Sequence, residues 1–313
     1  MGRRKRGAQS RPLRSSAVVG LALAAVLALA GVGFAAVQEG ALEAGARLVF
    51  PDGAATGSPS APAASASASA EAGRTPSPDR LLVGPNSVQI DMTGWYAWAL
   101  MDERTGKIYG SRNMASTSTT ASLIKAWIGA DFLRRSAERG VTPTETRMTQ
   151  LRKMIRDSDN EAAQSLWTAV GEQASIGRLI SICTLTDSAA SGAGWSRTRL
   201  SPRDITRLGA CIDDGRAAGP RWTRWLLGEM RAVRGDGDAG IRKAFPASIQ
   251  KTIAIKNGWI DRSAEREYHI NCLAIGDDWT MGVMVRYPFG GGRGYDYGFD
   301  VCESVARQLR TDT

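Results

Sequence analysis

The spacing of apolar residues predicts strands near both ends of the folded part of the chain and helices between them. An apolar run at Trp95–Leu100, a polar turn and a short run at Lys107–Tyr109 predict a β-hairpin. Three more strands are predicted at Thr252–Lys256, Tyr268–Ile275 and Trp279–Tyr287. A last helix would bury the side formed by Phe299, Cys302, Val305, Ala306 and Leu309.

The middle of the chain predicts helices. Thr119 or Thr120 would cap a central, largely buried helix that ends at Gly140. Its wide apolar stripe consists of Leu123, Ile124, Trp127, Ile128 and Phe132. Further helices are predicted at Met148–Ile155, Glu161–Val170, Ser175–Ile182 and Pro202–Ile212. This order predicts an α/β (α+β) fold, in which a five-stranded antiparallel sheet flanked by terminal helices lies beside an all-α subdomain.

The first 80 residues differ in composition from the rest and predict export. Residues 1–37 join a basic start to an uncharged apolar run from Ala17 to Val37, which fits a signal peptide or an N-terminal membrane anchor. Residues 38–80 are rich in Ala, Ser, Pro and Gly and predict a disordered linker. The folded domain would occupy residues 81–313 and lie outside the cytoplasm, because the basic flank stays inside.

Charge and composition argue against nucleic-acid and metal partners. The net charge of +9 is mild for 313 residues, and no basic stripe with interleaved aromatic residues occurs. The chain has one histidine, His269, and its cysteines show no CxxC or Cys/His spacing, which disfavours zinc. We expect no metal, no cofactor and a monomer, and we expect His269 to be a surface or packing residue.

Four cysteines in an exported domain are compatible with two disulfides, the alternative being four buried free thiols. Cys183 ends the helix before the segment 186–200 and Cys211 lies on the helix after it, so their bridge would join the two ends of that loop. Cys272 lies on a predicted strand and Cys302 on the last helix, which should pack on the sheet. The predicted pairs are therefore Cys183–Cys211 and Cys272–Cys302.

Three short motifs occur in an order that points to nucleophilic catalysis. They are Ser122-Leu123-Ile124-Lys125, Ser158-Asp159-Asn160 and Lys256-Asn257-Gly258. Each motif alone occurs by chance, but here the first opens a buried helix, the second falls in a break between helices and the third closes a predicted strand. Free N–H groups at the helix start favour a developing Ser122 alkoxide, and Lys125 lies one turn away on the same face.

The motifs also suggest a role for each polar side chain. Removal from water, together with Lys256 as a second cation, would lower the pKa of Lys125, so that the neutral amine accepts a proton. Ser158 would relay a proton to the leaving nitrogen and Asn160 would hold an amide carbonyl. The backbone N–H groups of Ser122 and Trp259 would form the oxyanion hole. Asp159 is predicted to be structural, as a helix N-cap.

The region from about Val88 to the C-terminus resembles the class A β-lactamases of the penicillin-recognising superfamily. The resemblance is carried by the three motifs, by Trp98–Gly106 before the nucleophile and by Leu200-Ser201-Pro202-Arg203-Asp204. It implies an all-α subdomain beside an α/β subdomain, a nucleophilic serine and no cofactor.

Three departures from that family bear on activity. Only 36 residues separate Ser122 from Ser158, so the all-α subdomain is predicted to be trimmed. Asn257 stands where the family has a threonine that binds the substrate carboxylate. The loop from Thr186 to Leu200 has no glutamate to activate the deacylating water, and its one carboxylate, Asp187, comes early. Slow deacylation is therefore expected, with Lys125 the favoured remaining base.

The sequence supports three hypotheses for function. The first is an exported class A β-lactamase-like serine hydrolase that acts on β-lactam amides through an acyl-enzyme. The second is a D,D-peptidase that cleaves peptidoglycan peptides, which shares the motifs and needs no loop glutamate. The third is a non-hydrolytic binding protein, which the intact Ser122/Lys125 pair disfavours because a binder does not need it. The expected substrate is thus a small β-lactam or a D-Ala-D-Ala peptide.

Overall fold

The computed structural model describes residues 88–190 and 192–310 of the chain. The predicted N-terminal membrane segment (1–37) and the predicted linker (38–80) lie outside these residues. Within the described part, no helix is long and apolar enough to cross a membrane.

Five strands form one antiparallel sheet, as predicted. In chain order the strands of the structure are β1 (Trp95–Asp102), β2 (Lys107–Gly110), β3 (Ser118–Thr119), β4 (Arg199–Leu200), β5 (Ala254–Arg262), β6 (Glu267–Ile275) and β7 (Trp279–Pro288). The large sheet has the order β2-β1-β7-β6-β5, so β5 is an edge strand. The short strands β3 and β4 pair with each other and were not predicted; they join the chain just before Ser122 to the end of the 186–200 loop.

The described part of the chain contains eight α-helices. They are α1 (Lys125–Glu138), α2 (Glu145–Arg156), α3 (Asn160–Ala169), α4 (Gln173–Ile182), α5 (Pro202–Asp213), α6 (Thr223–Arg231), α7 (Ala247–Gln250) and α8 (Tyr295–Leu309). The predicted helices of the middle and the C-terminus are confirmed, whereas α6 and α7 were not predicted. Gly140, with φ +68°, follows the end of α1, where glycine adopts the left-handed conformation without a Cβ penalty.

The sheet is buried on both faces, which explains the near-continuous burial of β6. On one face, Ile270 and Cys272 pack with residues of α8, including Val305. On the other face, Leu273 and Ile275 belong to the apolar core that also contains α1 to α6. Successive side chains of a strand point to opposite faces, so one strand supplies both cores. The edge strand β5 is left beside the start of α1.

Two local predictions were wrong. Asn257-Gly258 does not close the strand, because β5 continues to Arg262 and pairs with β6 along its whole length. Thr120 does not cap α1 with its side chain; a 3₁₀ turn (Ala121–Ile124) precedes the helix, and the Thr120 hydroxyl donates to Thr198 O. In both places a partner distant in sequence decides the local structure. β6 supplies the hydrogen bonds that continue β5, and the carbonyl of Thr198 accepts from the hydroxyl that would otherwise cap the helix.

Both predicted disulfides are confirmed. Cys183 is bonded to Cys211 and Cys272 to Cys302, with Cα–Cα separations of 5.3 Å and 6.5 Å. The first bridge joins the end of α4 to α5 and holds the two ends of the 186–200 loop together. The second attaches α8 to the sheet.

Reduction of the two bridges should destabilise the domain. They close loops of 28 and 30 residues, and the lost chain entropy of the unfolded state predicts about 3.6 kcal/mol of stability for each bridge. Urea unfolding with and without a reductant measures the difference, and a thiol titration of the denatured, unreduced protein should find no free thiol. Four reactive thiols would show that the bridges do not form.

Candidate active site

Ser122 lies on a tightly held turn between β3 and α1. The turn is tied to the neighbouring loop by the Thr120 N–H, which donates to Thr198 O at 2.9 Å, and it is closed by the Leu123 N–H, which donates to Thr120 O. Ala121, just before the serine, has φ +46°, a conformation that costs energy for a residue with a Cβ. Ser122 retains 9% exposure while Leu123 and Lys125 have none. The fold thus presents the Ser122 side chain from an otherwise buried turn.

Gly258 allows β5 to approach this turn closely. A Cβ on Gly258 would lie 2.4 Å from Leu123 N and Thr120 O and 2.7 Å from Ser122 N. Atoms of real side chains do not come this close, so only glycine fits. The third motif therefore meets the first at backbone level, which explains why a glycine follows Lys256 and Asn257.

Lys125 is fully buried at the first position of α1. Its ammonium donates to Ser158 O at 2.6 Å and to Asn160 Oδ1 at 2.7 Å, and it lies 3.5 Å from Ser158 Oγ. These contacts join the first motif to the second across 33 to 35 residues of sequence.

Lys256 is fully buried on β5 and reaches the same serine from the other side. Its ammonium donates to Ser158 Oγ at 3.1 Å and to Asn257 O at 3.0 Å. The hydroxyl of Ser158 therefore lies between the two lysine amines. The sequence order of the three motifs does not show this convergence; the fold creates it.

Burial lowers the pKa of both lysines, because a charged amine loses its hydration. The pKa of Lys125 falls to about 7, although the nearby Asp159 carboxylate acts in the opposite direction. Burial, together with repulsion from the Lys125 ammonium, lowers the pKa of Lys256 well below its ordinary value. The predicted direction of the Lys125 pKa shift agrees with the structure, and of the two predicted causes, burial and a second cation, burial is the one that acts. At neutral pH the pair can offer an uncharged amine.

The second motif combines a strained residue with a helix cap. Ser158 has φ +58°, which is uncommon for a serine and directs the chain so that its carbonyl and hydroxyl both meet lysines. Asp159 Oδ1 accepts from Ala162 N at 2.7 Å, so the predicted N-cap role is confirmed. The structure places Asn160 at the start of α3 with its oxygen on Lys125.

Asn257 and Trp259 belong to the opposite face of β5 from Lys256 and Gly258. The Asn257 amide donates to Gly237 O at 3.0 Å and to Ala239 O at 2.8 Å. Its buried side chain therefore holds the segment before α7 rather than facing Ser158. The Trp259 ring packs against Phe299, and its centroid lies 6.0 Å from Lys256 Nζ. The alternation of side chains along a strand is the physical reason.

Trp195 is the site residue that sequence reasoning missed. The Lys125 ammonium lies 4.7 Å from the centroid of its indole ring, and the indole N–H donates to Gln164 Oε1 at 3.2 Å. The sequence signal that could have found it is a tryptophan in the 186–200 loop, which is otherwise rich in Gly and Ser.

Asp187, the one carboxylate between Thr186 and Leu200, anchors the start of the loop. It forms an ion pair with Arg203 and accepts from Ser201 Oγ at 2.6 Å. Burial opposes its ionisation, but the hydrogen bonds from Arg203, Ser201 and Thr186 outweigh burial and lower its pKa. Its charge is thus neutralised locally, away from Lys125.

His269 is buried beside β3, the strand that precedes the Ser122 turn. Its Nδ1 lies 2.8 Å from Thr119 Oγ1, and it is 5% exposed, so the packing half of the prediction holds and the surface half is wrong. Burial, with Arg286 and Arg262 nearby, lowers its pKa to about 4. It is therefore neutral at physiological pH. Within residues 88–190 and 192–310, no group of three or more His, Cys, Asp or Glu side chains could hold a metal ion.

The relatives that sequence comparison finds are distant. No family model matches the chain. It is 25% identical over 185 residues to proteins named "Putative lipoprotein LppW" from Mycobacterium bovis and Mycobacterium tuberculosis. That match covers 58% of this chain and 59% of those proteins, so the chain spans about three fifths of their length.

Solved structures show the fold plainly. The TLA-1 extended-spectrum β-lactamase matches with a TM-score of 0.60 at 13% identity, over 70% of this chain and 92% of that chain. A β-lactamase from Xanthomonas campestris has a TM-score of 0.55 at 18% identity, over 69% and 91% of the two chains. A class A β-lactamase from Mycobacterium abscessus has a TM-score of 0.53 at 15% identity, over 69% and 92%. The fold is class A β-lactamase-like, which confirms the predicted resemblance.

Proposed function

We propose that this protein is a serine acyl-hydrolase that forms an acyl-enzyme with β-lactams at Ser122. The observation that carries the proposal is the convergence of Lys125 and Lys256 on the hydroxyl of Ser158, with Ser122 three residues before Lys125 in the sequence. A protein that only binds ligands does not need two buried lysines with lowered pKa values next to a serine. Burying a lysine amine costs free energy, and side chains with strongly shifted pKa values cluster at functional sites.

Acylation uses each group in turn. Uncharged Lys125 accepts the Ser122 proton as the serine oxygen attacks the lactam carbonyl. The N–H groups of Ser122 and Trp259 donate to the developing oxyanion, from a turn and an edge strand that Gly258 brings into contact. Ser158, held by Lys256, passes a proton to the leaving lactam nitrogen. Asn160 orients Lys125 and binds the amide carbonyl of the substrate.

A D,D-peptidase acting on peptidoglycan peptides is the second candidate. It is favoured by the absence of a glutamate from the 186–200 loop and by the ion-paired state of Asp187. A peptidase acylated by a β-lactam releases it slowly, and this difference in turnover separates the two candidates.

Export is part of the proposal. The basic start and the apolar run of residues 1–37 support a signal peptide or membrane anchor, and the mycobacterial relatives are named as lipoproteins. The first cysteine of this chain is Cys183, so a lipid on a cysteine near the apolar run is not available here. The folded domain would work outside the cytoplasm, where its disulfides can form.

Two measurements test the function. We expect a fluorescent penicillin to label the protein covalently and a chromogenic cephalosporin to give a burst equal to the enzyme concentration, followed by a slow steady rate. A general base accelerates the hydrolytic step by roughly two to four orders of magnitude. Asp187, the loop carboxylate that could act as this base, is instead hydrogen-bonded to Arg203. Turnover of many per second would establish an ordinary β-lactamase. A protein that takes up no label would be a binding protein.

Gly258→Ala should slow acylation without unfolding the domain. The added methyl group would push the backbone of the Ser122 turn away from β5. A displacement of about 1 Å can cost about a hundredfold in rate, which is the expected loss. Gly177→Ala is the matched control, since a Cβ there meets nothing within 4 Å. Equal labelling rates for both variants would show that the contact does not position Ser122.

A further inference from the structure

Trp195 covers the amine that the proposed reaction uses as its base. Lys125 Nζ already donates to Ser158 O and to Asn160 Oδ1, and the face of the Trp195 ring lies 4.7 Å away. The ammonium is fully buried. The directions around this nitrogen are therefore occupied by a carbonyl, an amide and an aromatic face, and what remains is the side toward the Ser158 hydroxyl.

The ring is held in this position by contacts with two other elements. Its N–H donates to Gln164 on α3. The next residue, Ser196, accepts a hydrogen bond at its carbonyl from Arg262 at the end of β5. Gly194, with φ +36°, supplies the backbone turn that directs the tryptophan inward. The loop thus places the indole over Lys125 by a defined geometry and not only by apolar packing.

Hydrolysis of an acyl-enzyme needs a water molecule beside a base. The water oxygen would attack the ester carbonyl while its proton goes to the Lys125 amine. The tetrahedral intermediate would then expel the Ser122 oxygen, which takes the proton back, and a free acid leaves. An aromatic face offers water no lone pair and only a weak acceptor, so it excludes water from the side of Lys125 that it covers.

We propose that Trp195 is a positioning residue that excludes water from Lys125 and thereby prolongs the life of the acyl-enzyme. The inference rests on the proposed function, since it concerns the second half of the same reaction. Lys125 can still take the Ser122 proton, because that transfer is direct and needs no water. The same ring would therefore permit acylation and oppose deacylation.

The test compares Trp195→Ala and Trp195→Phe with the full-length wild-type chain. Acyl-enzymes formed with a fluorescent penicillin are freed of excess reagent, and the loss of label is followed over time at a pH above the Lys125 pKa of every variant, so that the base is uncharged throughout. Trp195→Ala should shorten the lifetime at least about tenfold, a fraction of what full general-base help is worth. Trp195→Phe keeps an aromatic face and should stay near wild type. Trp225→Ala, on α6, is the control for the loss of an indole.

A second readout does not depend on acylation by a β-lactam. An NMR titration of isotope-labelled lysine side chains, in which Lys125→Ala identifies the Lys125 signal, reports the pKa of this buried amine. Admission of water in Trp195→Ala should raise this pKa from about 7 toward the ordinary lysine value, by at least about one unit. The pH at which the acylation rate rises should move up with it. A tryptophan that only packs the loop would leave this titration unchanged.

The outcomes separate the two proposals. If the wild type takes up no label, the proposed function fails, and the Lys125 titration alone still decides whether Trp195 excludes water. If the wild type is labelled but Trp195→Ala releases the label no faster, the inference fails while the function stands. A shortened lifetime with a raised Lys125 pKa supports both. An unchanged pKa in Trp195→Ala overturns the inference whatever the lifetime does.

Discussion

Ser122→Ala should abolish covalent labelling by β-lactams and lower any hydrolysis by at least about 10⁴-fold, because no other group in the site can form the ester. Ser158 is the nearest alternative hydroxyl, but it lies between two buried lysines, and its own carbonyl is bonded to Lys125. Mass spectrometry of the wild-type adduct should place the added mass on the peptide that contains Ser122.

Ser136→Ala is the matched control for this change. Ser136 is buried near the C-terminal end of α1 and donates to Phe132 O, so its loss removes a hydroxyl from α1 without touching the site. The control should be labelled like the wild type. Labelling that survives Ser122→Ala, or an adduct on a peptide without Ser122, would show that another residue is acylated.

Lys125→Ala should lower the acylation rate about a hundredfold or more, since it removes the proton acceptor. Lys256→Ala should weaken the binding of anionic substrates and shift the pH dependence of acylation to higher pH. The reason is that water entering the space left by the Lys256 side chain restores hydration to the Lys125 amine, and this raises the Lys125 pKa that burial had lowered. Lys153→Ala, an exposed lysine on α2, is the control and should behave as wild type.

The sign of the pH dependence follows from the lowered pKa. Lys125 is uncharged above about 7 and charged below it, so wild-type acylation should rise with pH through about 7 and then level off. The acylation rate measured from pH 5 to 9 tests this, with circular dichroism to show that the variants stay folded. If Lys125→Ala and Lys256→Ala are both acylated at the wild-type rate with the same pH profile, neither lysine takes part in acylation.

Much of the fold could be predicted because local patterns and packing agree. The apolar stripe of α1, the alternating strands at both ends and the four cysteines all indicate their burial, and the disulfide pairs followed from the elements that carry them. The errors fell where distant pairing decides the outcome. β5 runs through Asn257-Gly258 because β6 supplies its hydrogen bonds, although the dipeptide is typical of a turn.

For the site, the sequence by itself determined the residue types and their chemical potential: a serine at a helix start, a lysine one turn later, a serine near an asparagine and a second lysine before a glycine. Only the tertiary structure decided that both lysines meet at Ser158, that burial lowers the Lys125 pKa, and that Asn257 faces away. It also decided that Trp195 covers Lys125. These depend on which elements are neighbours and which face a side chain takes, and motif spacing carries information about neither, because hydration is lost and close contacts form only when segments distant in sequence pack together.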